Sequence, residues 1–170
     1  MNGQNQGDNL QRGKTNNEGQ DHANVVVLPP LLYLFSFGVG IAAEFIWPVH
    51  LWDWSYNNLL GGGLIVISLM VIFLAMRPFR KGGQDPNPNT ATPELYTGGI
   101  FRMSRNPIYV SFTAILLGLA LITNSLWVAI MLIPTLIIMH YGVIRREEAY
   151  LTRKFGQDYL DYMSRVRRWL

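Results

Sequence analysis

The chain has no cysteine among its 170 residues, which excludes disulfides, thiolate metal sites and cysteine nucleophiles. It also has little charge. Asp, Glu, Lys and Arg make up 15% of the residues against 49% hydrophobic ones, and neither Lys nor Arg occurs between Val25 and Met76. No apolar run precedes Val25, so the basic start followed at once by an apolar stretch that marks a cleavable signal peptide is missing. The first 24 residues, rich in Asn, Gln and Gly, cannot bury enough surface to offset ordering entropy and are expected to form a disordered polar tail.

What is present is a series of apolar blocks. Mean hydropathy is only +0.15 because the polar tail dilutes them. Val25 to Trp47 contains one charge, Glu44, and is long enough to cross a hydrocarbon core at about 1.5 Å per residue. Pro29 and Pro30 fall in its first turns, where a missing amide donor costs least. Trp47, His50, Trp52, Asp53, Trp54 and Tyr56 follow as a headgroup-level aromatic belt, which makes Glu44 an interfacial carboxylate. Leu59 to Met76 is a second span, and Gly61, Gly62 and Gly63 at its start read as helix-packing residues rather than a phosphate loop, because no strand precedes them. Ile108 to Ile122 is a short third span, either extended by the preceding loop or shielded by its neighbours. Thr123 and Asn124 turn it into a fourth, Leu126 to about Ile144. The expected fold is all-α and integral to the membrane, with about four transmembrane helices and an amphipathic carboxy-terminal segment lying in the interface.

The net charge of +3 is concentrated beside these blocks, which points to an anionic membrane surface or anionic ligand rather than nucleic acid. Arg77, Arg80, Lys81, Arg102 and Arg105 lie between the second and third spans, and seven more basic residues from Arg145 to Arg168 follow the fourth. The other two connections have none. This asymmetry predicts that both termini and the basic loop lie on the cytoplasmic side, in the cell inner membrane. After the fourth span, apolar residues recur at steps of three and four from Tyr150 to Trp169, the pattern of an interfacial helix, with Gly156 breaking it before a second short helix from about Asp158.

Two segments on that side carry the chemistry: TGGIFRMSRNPIY, Thr97 to Tyr109, and REEAYLTRKFGQDYLDY, Arg146 to Tyr162. Arg102, Arg105, Asn106, Tyr109, His140, Glu147 and Glu148 would line a pocket suited to a charged soluble cosubstrate meeting an amphiphilic one. His140 and Glu147, seven residues apart, would project from nearly the same helix face. Each feature has an ordinary structural reading beside this one. Basic residues flanking a span fix topology, Glu-Glu beside Arg-Arg makes helix salt bridges, and Asn-Pro starts helices.

In order, G-I-x-R, R-N-P-x-Y, E-E-x-x-L, F-G and Y-x-x-Y resemble the isoprenylcysteine carboxyl methyltransferase and phospholipid methyltransferase superfamily of integral membrane enzymes, over about Tyr96 to Trp169. The resemblance implies methyl transfer from S-adenosylmethionine to a lipidic or small apolar acceptor. It divides the chain into the tail, a two-span anchor with its loop (25–95) and a cofactor-binding hairpin with the amphipathic helices (96–170). Carried over by position, Gly99, Ile100, Arg102, Arg105, Asn106, Pro107, Tyr109, Glu147 and Glu148 would bind the cofactor. Arg146, Glu147 and His140 are the catalytic candidates, and no metal is implied. The chain departs from the pattern at Asn106, where many relatives have His. It departs again at Val143 and Ile144, where the isoprenylcysteine enzymes place an arginine about one turn before the glutamates; Arg145 or Arg146 would have to replace it for a carboxylate substrate. Sterol reductases, which use a nicotinamide cofactor, look similar near their carboxy end but have a larger membrane domain. A non-enzymatic membrane scaffold is the third reading.

Overall fold

The computed structural model describes residues 25–52, 55–82 and 94–170. The polar tail Met1 to Asn24, Asp53 and Trp54 of the aromatic belt, and residues 83–93 of the proline-containing loop lie outside the described residues. The described chain is helical: α1 Pro29–Ile46, α2 Asn57–Gly82, a single 3-10 turn Gly99–Arg102, α3 Pro107–Ile122, α4 Leu126–Phe155 and α5 Gln157–Arg165. Among the described residues the one strand-like pairing is an isolated bridge between His50 and Ser125. α1, α2 and α4 are long and apolar enough to cross a membrane, while α3 has 16 residues. The protein is an all-α integral membrane protein.

α1 begins four residues later than the apolar run. Leu28 is extended because the residue before a proline is pushed out of the helical region, and Pro29 and Pro30 then occupy the first turn without wasting donors. α3 is bounded by Pro107 and the turn at Thr123, and its neighbours shield it: only Leu117 and Ile122 among its side chains are exposed. α2 packs along it through a reciprocal glycine contact. A Cβ on Gly61 would lie 2.5 Å from the Gly118 carbonyl oxygen, and one on Gly118 would lie 2.8 Å from that of Gly61. Gly62 and Gly63 face open space, so Gly61 alone carries the packing role expected of the triplet. Between helices in lipid, such close approach and a few polar links replace the hydrophobic drive. The polar links join α1 to its partners: Tyr33 and Thr113 hydroxyls are 2.7 Å apart, and Thr135 donates to Ser36 at 2.7 Å.

The α1–α2 and α3–α4 connections meet at one end of the bundle. Glu44 Oε1 accepts from the Val49 amide at 3.1 Å and its Oε2 accepts from Ser125 at 2.6 Å. Asn124, with φ 48°, offers Oδ1 to the Trp52 amide and the Asn57 side chain. Glu44 is thus a structural clamp between two connections.

The other end is built by α4, which continues past Ile144 to Phe155 instead of stopping for a separate interfacial helix. Within it Met139–Ile144 forms a π-turn. Gly156, with φ +54°, ends α4 in a conformation that few other residues adopt. α5 starts at the next residue and folds back. Its Tyr159 and Tyr162 are buried with Phe101 and Ala75, and the Tyr162 hydroxyl donates to the Phe101 carbonyl at 2.6 Å. The 3-10 turn is therefore roofed by α5.

Candidate active site

A cleft of about 590 Å³, within the range of small-molecule sites, has Phe101 of the 3-10 turn among its lining residues. α1 and α2 both pack on α3, and the cleft lies between them. Leu28 and Leu31 line one side, and Ile72, Met76 and Phe79 the other. Phe101 and Phe112 add aromatic surface. The polar end consists of Arg105, Asn106, Tyr109 and Glu147. Arg105 and Asn106 stand just before the first turn of α3, and Tyr109 stands within it. Glu147 reaches them from α4, where the Tyr109 hydroxyl donates to its Oε2 at 3.0 Å.

Glu148 faces elsewhere and is buried. Arg168 grips it through both oxygens, Nε to Oε1 at 2.9 Å and Nη2 to Oε2 at 2.6 Å, the bidentate geometry that fits guanidinium to carboxylate. Arg105 Nη1 lies 3.0 Å from the same Oε1, out of line for a hydrogen bond, with its side chain 9% exposed. Arg105 Nε has no hydrogen-bond partner. Two cations thus share Glu148, and Arg105 is left without a hydrogen-bonded carboxylate of its own. The segment that carries Arg168 is strapped to the loop before α3. The Arg167 carbonyl accepts from the Arg105 amide at 3.0 Å, and the Arg168 carbonyl accepts from Asn106 Nδ2 at 2.9 Å and from Ser104 at 3.3 Å. Burial pushes the Tyr159 and Tyr162 hydroxyls up in pKa, an effect that the Arg105 charge partly offsets.

Of the residues singled out in the sequence, the structure brings Arg105, Asn106, Pro107, Tyr109 and Glu147 into the cleft. Gly99 takes φ +60° and opens the 3-10 turn, while Ile100 packs beside Phe101 beneath α5. Arg102 and Arg146 are exposed and neither lines the cleft. Glu148 is held by its arginines rather than offered to the cleft. Arg145, also exposed, lies over the Tyr141 ring, and Val143 and Ile144 are fully buried core, so no arginine occupies the position that the isoprenylcysteine enzymes use.

The expectation that His140 and Glu147 share a face is corrected. The intervening π-turn adds a residue to the winding and rotates all that follows by about a hundred degrees. His140 accordingly lines a second cavity, about 630 Å³, between α3 and α4 beside Trp169. Sequence reasoning missed Arg168. Its one signal was an Arg-Arg pair beside Trp169, which reads as a topology marker until the chain folds back.

The profile of the family described as Phospholipid methyltransferase matches residues 56–158. The chain belongs to this family. The phospholipid methyltransferase match thus covers the α2 wall of the cleft and its polar end up to Glu147, but not the α1 wall. An uncharacterised protein of Haemophilus influenzae is 40% identical over 65 residues, 37% of this chain and the whole of that protein. The nickel-cobalt-cadmium resistance protein NccN of Alcaligenes xylosoxydans xylosoxydans is 36% identical over 73 residues, 43% of this chain and 34% of its own length. No solved structure matches. Membership in the phospholipid methyltransferase family, with the apolar helices, makes this a membrane methyltransferase.

Proposed function

We propose that the protein transfers a methyl group from S-adenosylmethionine to a lipidic or small apolar acceptor that reaches the cleft from the bilayer. The observation that carries this reading is a single cleft in which a buried, incompletely paired guanidinium and a carboxylate sit beside apolar walls contributed by two membrane helices. The residues fit the cofactor. Arg105 offers donors to an amino-acid carboxylate, and Glu147, with one hydrogen bond from Tyr109, keeps acceptor capacity for ribose hydroxyls. Phe101 and Tyr109 supply ring faces near which a cation is tolerated.

When bound, this cofactor supplies an electrophilic methyl carbon on a cationic sulfur. Arg105 fixes its charged end, Tyr109 orients Glu147, and the apolar walls exclude water, so catalysis rests mainly on orientation. An acceptor that must lose a proton gives it to Glu147, the carboxylate in the cleft; His140, in the other cavity, is too far round α4 to serve. On this reading residues 96–170 hold the cofactor, α1 and α2 form the acceptor's walls, and the basic end faces the cytoplasm from the cell inner membrane.

Calorimetric titration of S-adenosylhomocysteine into detergent-purified protein tests the assignment. Saturable binding that an Arg105→Ala, Glu147→Gln double variant loses is expected. A folded sample that binds NADPH and not S-adenosylhomocysteine would instead favour a reductase-like protein.

A further inference from the structure

We propose that Arg168 is a positioning residue, holding Arg105 ready for the cofactor's carboxylate by occupying Glu148; this rests on the cofactor reading above. The reasoning starts from competition for one carboxylate. A guanidinium next to a buried carboxylate closes a two-pronged contact with it, because that satisfies both charges at once. Arg105 does not do so, although its Nη1 is only 3.0 Å from Glu148 Oε1. Arg168 already fills both oxygens, at 2.9 and 2.6 Å. Arg105 is left with Nε unpartnered in a side chain that is 9% exposed and lines the cleft.

A buried guanidinium whose neighbouring carboxylate is already held bidentately by another arginine is compensated only in part and gains from a further anion, so the triad leaves Arg105 receptive. The strap makes this specific. Arg105, Asn106 and Ser104 all bond to the backbone oxygens of Arg167 and Arg168, which sets Arg168 and Arg105 on the same carboxylate at once. Removing the Arg168 guanidinium frees Glu148, and Arg105 turns onto it and away from the cleft. The loss is confined to ligands that carry a carboxylate.

Affinities of S-adenosylhomocysteine and of 5′-methylthioadenosine, which lacks the amino-acid portion, are measured by calorimetry on the full chain as wild type, Arg168→Ala and Arg168→Lys. Arg168→Ala is expected to lower the preference for S-adenosylhomocysteine by roughly ten- to a hundredfold, leaving 5′-methylthioadenosine little changed. Arg168→Lys, which keeps the charge but not the fork, is expected to recover part of it. Equal weakening of both ligands, or an unchanged preference, would overturn the positioning role while leaving the cofactor reading intact. Failure of folded wild type to bind S-adenosylhomocysteine would overturn both.

Discussion

Two glutamates at opposite ends of the bundle sit in similar settings and have opposite fates. Glu44, at the end where the helix connections meet, has one oxygen on the Val49 amide and the other on the Ser125 hydroxyl. Glu147, at the other end, takes one hydrogen bond from Tyr109 and borders an apolar cleft. The first carboxylate has both oxygens engaged by its own chain, and the second keeps one oxygen without a hydrogen bond from the described residues. Residue type and closeness to the membrane boundary therefore do not separate a clamp from a site; the count of partners does.

The contrast breaks first at Glu147. With an acceptor that must lose a proton, Glu147→Gln is expected to reduce transfer of labelled methyl by at least about a hundredfold, with little change in melting temperature, since a side-chain amide still accepts from Tyr109. Near-normal transfer would remove Glu147 from the chemistry. Glu44→Ala should do the reverse. It is expected to cost about 2–4 kcal/mol of stability in denaturant titration by stripping partners from Val49 and Ser125, with S-adenosylhomocysteine affinity held. Gly118→Ala forces α2 off α3 and is expected to cost about 1–3 kcal/mol, a test of whether the wall formed by Ile72 and Met76 depends on the glycine contact.

The smallest effect concerns the roof. Tyr162→Phe removes its hydrogen bond to the Phe101 carbonyl and is expected to cost about 1 kcal/mol. Burial pushes the Tyr162 hydroxyl from 10.0 up to about 12. Because the folded state favours the neutral phenol, its contribution is whole below about pH 10 and is lost as the pH climbs from there toward about 12. Melting temperatures across that window should fall less steeply in Tyr162→Phe than in wild type; parallel curves would assign the alkaline loss to other groups.

Much of the fold was legible because it is written in local composition. The prolines at 29 and 30, the turn at Thr123–Asn124 and the break at Gly156 are each fixed by residues within a few positions. The site was legible in part. Arg105, Asn106 and Tyr109 lie together because they are close in sequence at the start of α3, and Glu147 was marked by its motif. Placing His140 beside Glu147 failed because the reasoning assumed an unbroken winding, and nothing in the residues Met139 to Ile144 announces a π-turn. Glu148 looked equivalent to Glu147 because adjacent residues share composition while pointing about a hundred degrees apart on a helix.

By itself the sequence determined the membrane setting, the four helices and the family, since hydrocarbon admits helices of bilayer length and the motifs recur in order. Only the tertiary structure decided which charges are spent and which are free. That depended on the fold-back that brings Arg168 to Glu148, 20 residues away, and its carbonyl to Asn106, 62 residues away. Partners so distant in the chain leave no periodic signal in it.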